Sequence, residues 1–384
     1  MNNFDTLINR QNTMSVKWDT VPTDQLPMWV ADMDFKCADE IIEALKSRVD
    51  HGIYGYLAIQ NSYYDSIINW MKNRHNWEIQ KHWIVTTPGI VTAFNIAIQT
   101  FTKKGDKIAI QTPVYPPFFS AVKNNGRELV ENELILKDGI YSMDFNSLEE
   151  NFKNGVKALM LCSPHNPIGR VWSKEELETL GNLCVKYNVL VISDEIHNDL
   201  TFNGKTHTVF SKISQEINNN CIICTSPSKT FNIAGIQCSN IIIPNNNLRE
   251  QFVRSLTCCG LNHPNIFSVP ALIASYNHCE YWLNDLMIYL ENNFNYLDTF
   301  LKENLPIVKA TPSQGTYLVW LDFRELNLSQ SDLVNLINNN AKVLLNDGST
   351  FGEDGIGFMR LNIGCPRELL CNGLNRIKNA IDKL

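Results

Sequence analysis

The chain has 384 residues, enough for two compact lobes or one large lobe with a smaller one appended, and a balance of 44% hydrophobic to 19% charged residues supports a substantial core. A formal net charge of -7 without a long basic run argues against a nucleic-acid partner. No apolar stretch reaches the ~18 residues of a membrane-spanning helix, so no membrane partner is expected. The N-terminus MNNFDTLINRQNTMSVKWD has no apolar secretory core, and the eleven cysteines show no framework spacing; both point to a cytoplasmic chain with reduced thiols.

In chain order, LPMWVADMDF (26–35) has neither helical nor strand period and is expected to wrap against a C-terminal lobe. From Ile84 to Pro244, apolar runs alternate with segments of helix length. The runs are WIVTT, DKIAIQTP, RELVENEL, VKALMLCSP, NVLVISDE, CIICTS and SNIIIP. Continuous apolar runs so separated indicate a mostly parallel sheet covered on both faces. Phe267 to Leu305 holds few breakers and reads as one or two long helices. After it, VKATPSQGTYLVWLDF and GIGFMRLNIG read as strands of a smaller α+β lobe.

Ligands of open α/β sheets bind beyond the carboxyl ends of the strands. Five runs end there in distinctive residues: TTPG with Gly89, the run reaching Tyr115, His165-Asn166-Pro167, Asp194-Glu195, and the SPS preceding Lys229. No G-x-G-x-x-G, H-E-x-x-H or G-x-S-x-G occurs. Gly204-Lys205-Thr206 lacks the first glycine of a phosphate loop, that place being Asp199. The Cys221–Cys224 pair lies inside a strand-like run, which favours buried thiols over a metal site, and no metal is expected. A lysine held beside a desolvated pocket can act as a neutral amine nucleophile, which makes Lys229 the leading candidate.

The ordered motifs SPHNPIG, SDEIH and SPSKTFNIAG resemble fold-type I pyridoxal-phosphate enzymes of the aminotransferase class I/II superfamily. LPMWVADMDF, HGIYGY, TPGIV, TPVYPPF, SDEIHNDL and SKTFNIAG are similar to its MalY/PatB branch, the cystathionine β-lyases or C–S lyases. The resemblance spans Trp29 to Arg360. It implies an α/β fold with a mostly parallel, mixed seven-stranded sheet covered by helices, and a smaller α+β domain built from both termini. The expected division is 50–275 for the large domain and 1–49 with 276–384 for the small one.

The resemblance also implies a pyridoxal 5'-phosphate cofactor and a role for each residue. Lys229 would form the Schiff base and later shuttle the Cα proton. Asp194 would pair with the pyridine nitrogen, while Glu195 is structural. Asn166 would bond the phenolic oxygen, and His197 is either near that oxygen or structural. Tyr115 would stack on the ring and, with Asn166, touch substrate. Gly89, Ile90, Val91, Ser226 and Ser228 would hold the phosphate, joined by Tyr56 from the other subunit of a homodimer. Arg360 would bind the α-carboxylate, with Trp29, Val30 and Ala31 at the substrate entrance. Gln237 departs from the wider superfamily, many members of which carry arginine eight places after the lysine.

The activity implied is α,β-elimination of L-cystathionine, or a related cysteine S-conjugate, to homocysteine or another thiol, pyruvate and ammonia. The same residues would serve an aminotransferase acting on an amino acid and a keto acid. A cofactor-binding regulatory protein is the third alternative.

Overall fold

The structure is a computed structural model that describes residues 3–202 and 204–384. All seven apolar runs become strands of one sheet: β1 (Ile84–Thr87), β2 (Lys107–Thr112), β3 (Glu128–Glu133), β4 (Val156–Cys162), β5 (Leu190–Asp194), β6 (Cys221–Thr225) and β7 (Ser239–Ile242). The spatial order is β1-β7-β6-β5-β4-β2-β3. From β6 across to β3 every pairing is parallel, and β7 runs antiparallel to both of its neighbours. The sheet is thus mixed and mostly parallel, as expected.

Successive strand residues face opposite ways, so a sheet covered on both sides feeds two cores. Along β4, Val156, Leu159 and Leu161 join one apolar cluster, while Ala158, Met160 and Cys162 join the other. The same alternation sends Cys221 and Cys224 to opposite faces of β6, where they cannot share a ligand.

The breaker-poor stretch forms two helices, α1 (Ser268–His278) and α2 (Glu280–Asn304), separated at Cys279. Trp282, Leu283, Leu286, Leu290, Phe294, Leu297 and Leu301 form the buried stripe of α2 at helical spacing. Beyond α2 lies a second sheet of β8 (Lys309–Ala310), β9 (Leu318–Asp322), β10 (Asn346–Asp347) and β11 (Phe358–Asn362), in the order β8-β9-β11-β10 and antiparallel throughout.

The N-terminal strap packs against this second sheet, as its lack of a period suggested. Leu26–Pro27 pairs in parallel with Val343–Leu344, and the N–H of Asn362 donates to Met28 O. Asp34, which is buried, accepts from Lys17 Nζ at 2.6 Å, Arg10 Nη1 at 2.6 Å and Trp18 Nε1 at 2.8 Å. Removing one partner of such a buried pair costs about 3–5 kcal/mol, so these contacts brace the strap against the residues that precede it. Residues Leu200 to Phe202 cross the start of β9, where Thr316 N donates to Leu200 O at 2.7 Å. A Cβ on Gly315 would stand 2.5 Å from that same carbonyl oxygen, so the crossing requires glycine.

Candidate active site

Beyond the carboxyl ends of the parallel strands lies a cavity of about 270 Å³. Tyr115, Asn166, Asp194, His197 and Lys229 all line it, having arrived from four different strand ends.

Lys229 owes its position to a single helical turn, Pro227–Thr230, directly after β6. Ser226 caps that turn by accepting from Ser228 N at 3.1 Å, and proline at the first helical position presets the backbone. Next to the lysine, Thr230 Oγ1 donates to Asp199 at 2.8 Å. Asp199 is buried and also accepts from His75 Nε2 at 2.9 Å and Trp70 Nε1 at 3.2 Å, so the turn is anchored from below. Lys229 Nζ donates to Ala31 O at 2.7 Å, which ties it to the strap. Burial pushes the amine down to about 8, opposed by the carboxylate of Asp32, assisted by Arg360 and opposed again by Asp194. A neutral, nucleophilic amine is therefore accessible near neutral pH.

Asp194 closes β5, in register with Cys162 on one side and Cys224 on the other. Its Oδ1 accepts from Ile196 N at 3.1 Å. Burial raises its carboxyl to about 7, against the pull of the Ile196 N–H and of Lys229. A buried acid so placed favours a positive N–H group opposite it in the cavity. Glu195 points elsewhere, accepting from His207 Nε2 at 2.8 Å, Ser193 Oγ at 3.0 Å and Phe210 N at 3.0 Å, and is structural as expected.

Arg360 sits on β11 with 4% exposure. Its Nη1 donates to Asn166 Oδ1 at 3.0 Å, and its Nη2 donates to Trp29 O at 2.9 Å and Asn346 Oδ1 at 2.6 Å. The Phe351 ring lies 5.0 Å from its Cζ. Burial lowers the guanidinium to about 10, partly offset by Tyr115 and Tyr317, so it stays charged at neutral pH. The contact with Asn166 joins the carboxylate-anchor candidate to the ring-anchor candidate.

His197 is buried against Tyr317, ring centroids 6.1 Å apart, and its Nδ1 lacks a partner among the described residues. Burial, then the charges of Lys229 and Arg360, push its imidazole down to about 3, so it is neutral. Tyr115 is half-buried on the cavity wall beside Phe118. Ile90 and Val91 open the helix Ile90–Phe101, whose first turn carries no capping side chain and so presents N–H groups suited to an anion.

The structure shows what several of the expected residues offer the cavity. The Gly89 N–H is already given to Thr87 O at 2.9 Å. Gly89 instead contributes a φ of 94° and open space where a Cβ would stand. Ser226 does not line the cavity; its hydroxyl donates to Cys238 O at 2.5 Å and its oxygen serves as the helix cap, leaving Ser228 on the wall. Val30 is likewise off the wall, its carbonyl accepting from Asn362 Nδ2 at 2.6 Å, whereas Ala31 lines the cavity. Tyr56 stands fully exposed in the irregular segment between helices Asp39–Asp50 and Asn61–His75, off this chain's own cavity, and its expected place in the neighbouring subunit's site is untouched by this.

Three site residues escaped the sequence reading. Tyr317 donates its hydroxyl to Ala31 O at 2.8 Å, the carbonyl that also receives Lys229. Ser239 opens β7 on the cavity wall with a buried, unpartnered hydroxyl. Asn346 holds Arg360. Only Tyr317 carried a signal, as a hydroxyl in an otherwise apolar run.

The profile of the family described as aminotransferase class I and II matches residues 23–377. The chain belongs to that family. Within it, the chain is 46% identical to cystathionine beta-lyase PatB of Bacillus subtilis (strain 168), over 99% of this chain and 100% of that one. A pyridoxal-phosphate-bound structure from Clostridium difficile 630, described as a suspected aminotransferase, superposes with a TM-score of 0.98 at 44% identity, covering 99% of this chain and 100% of the other. Cystalysin from Treponema denticola, solved with a pyridoxal 5'-phosphate cofactor, gives 0.97 at 39% identity over 100% and 99%. In this family member Gln237 lines the cavity with a φ of 53°, and no arginine appears among the described residues of the wall.

Proposed function

We propose that this family member is a pyridoxal-phosphate-dependent C–S β-lyase that cleaves L-cystathionine or related cysteine S-conjugates. The observation carrying the reading is full-length similarity to a cystathionine β-lyase, together with a cavity whose buried lysine and aspartate suit that cofactor and a buried arginine bonded to Asn166 on its wall. The fit has physical support. Asp194 is a buried acid short of positive charge, Ser239 offers an unpartnered hydroxyl, and the uncapped start of Ile90–Phe101 suits a phosphate.

When bound, the cofactor supplies an electron sink for the pair released at the substrate Cα. Arg360 holds the α-carboxylate through its planar fork, and Asn166 keeps that fork in register with the ring site. Tyr115 limits the tilt of whatever ring lies beside it. Lys229 Nζ, free once substrate has taken its place, removes the Cα proton. The C–S bond then breaks at Cβ, the electron pair leaving with sulfur as a thiolate. The remaining three-carbon enamine takes up water and yields pyruvate and ammonia, which balances the reaction.

The test is enzyme, cofactor and L-cystathionine with no keto acid present. Equal amounts of pyruvate and homocysteine are expected. Turnover only after keto acid is added would make the chain an aminotransferase, and none under either condition would favour the regulatory alternative.

We further propose a homodimer in which Tyr56 serves the phosphate of the neighbouring site, supported by its full exposure beside exposed Ile53 and Tyr54. Tyr56→Ala should weaken cofactor binding by about 10–100-fold, the worth of one hydrogen bond to a charged group. Sedimentation of the wild type as a monomer with undiminished cofactor affinity would refute this. The division into 50–275 and 1–49 with 276–384 is proposed as well, with the cavity where the two meet. No described helix is long and apolar enough to cross a membrane, and eleven free thiols fit a reducing, cytoplasmic setting.

A further inference from the structure

A guanidinium offers a carboxylate two paired N–H edges, Nε with Nη2 and Nη1 with Nη2, because Nη2 lies trans to Cδ. Both edges need an Nη2 hydrogen. In Arg360 the two Nη2 hydrogens are already given to Asn346 Oδ1 at 2.6 Å and to Trp29 O at 2.9 Å. Nε is buried without a partner, and Nη1 donates to Asn166. The Phe351 ring covers one face of the group at 5.0 Å, which leaves approach in the plane, along an edge. A two-point carboxylate therefore cannot dock until one Nη2 acceptor withdraws.

The two acceptors differ in their freedom to move. Trp29 O belongs to a strap whose backbone is held on both sides, by Met28 N to Leu344 O at 2.9 Å and by Asn362 Nδ2 to Val30 O at 2.6 Å. Asn346 is a half-buried side chain on β10, the edge strand of its sheet, and can change rotamer without breaking the ladder. Among the described residues its Nδ2 makes no hydrogen bond. We propose that Asn346 is the exchangeable guard of Arg360: its oxygen occupies Nη2 while the site is empty. On binding it yields that hydrogen to the substrate α-carboxylate, and its Nδ2 then donates to the same carboxylate. Asn346 is thus a substrate-positioning residue, an inference that rests on the cavity's taking an amino acid.

Asn346→Asp and Asn346→Ala separate this role from that of a fixed tether. The aspartate is nearly isosteric and a better acceptor for Arg360, but it puts a negative charge where the carboxylate must dock. The readout is the shift in visible absorbance of the cofactor-loaded protein when titrated with a 2-methyl amino acid, which has no Cα proton. An alkylamine lacking a carboxylate serves as control. Asn346→Asp is expected to raise the half-saturating amino-acid concentration by about a hundredfold or more. Asn346→Ala should raise it by no more than about fivefold, the loss of one neutral hydrogen bond. The alkylamine should respond alike in all three proteins. A fixed tether predicts the reverse order, so tight binding by the aspartate variant, or a hundredfold loss in the alanine variant, overturns the proposal. Because binding is read without turnover, a wild type that binds the amino acid yet cleaves no C–S bond would remove the lyase reading alone.

Discussion

Lys229→Ala should abolish C–S cleavage and remove the visible absorbance of lysine-bound cofactor, while leaving the fold intact. The turn carrying Lys229 is held by the cap at Ser226 and by the bond from Thr230 to Asp199, neither of which involves the lysine side chain. The variant loses the covalent anchor and the Cα base together. Base removal alone is worth about 10²–10⁴-fold, so turnover should fall at least that far. Circular dichroism and melting temperature report whether the fold survives, and steady-state pyruvate release reports the loss. Normal turnover in this variant would sink the whole assignment. The wild type adds a pH signature. Below about 8 the amine is protonated and cannot attack an aldehyde; above it the neutral form predominates. Reloading of cofactor onto apoenzyme should therefore accelerate by roughly tenfold between pH 7 and pH 9 and then level off, as measured by stopped-flow absorbance.

Asp194→Ala should loosen the cofactor and slow proton removal from Cα. Burial holds this carboxyl near 7, so it gains most from a positive group facing it from the cavity. Without the carboxylate, a neutral ring draws electrons from Cα less strongly. The expected loss in turnover is about 10²–10³-fold, the usual scale for removing one electrostatic contact to developing charge. A Cα-deuterated substrate separates the causes. A larger isotope effect in the variant places the damage at proton transfer, and an unchanged rate would contradict the electron-sink role. Asp194→Asn preserves shape and the backbone contact with Ile196, so a defect there too assigns the effect to charge rather than packing.

Much of this was legible from local pattern. Seven apolar runs became seven strands because continuous β-branched and aliphatic stretches between helix-length segments leave little alternative to a sheet buried on both faces. The lysine, aspartate and asparagine were legible because each directly follows such a run, and strand ends are where parallel sheets place ligands. Arg360 came from the resemblance rather than from its surroundings.

What resisted the sequence depends on direction and neighbours. Ser226 and Ser228 are two residues apart and look interchangeable, yet one caps a turn and the other faces the cavity. Ser239 reaches the site because β7 runs antiparallel, which brings its first residue, rather than its last, to the ligand edge. Tyr317 immediately precedes β9 and finds Ala31 where that sheet meets the strap, whereas Asn346 finds Arg360 through the pairing of β10 with β11. The sequence by itself therefore determined which elements form and which residues are chemically competent, since both follow from local composition and spacing. Only the tertiary structure decided which hydroxyls and amides face the cavity, because the facing is set by strand direction and by contacts between residues hundreds of positions apart.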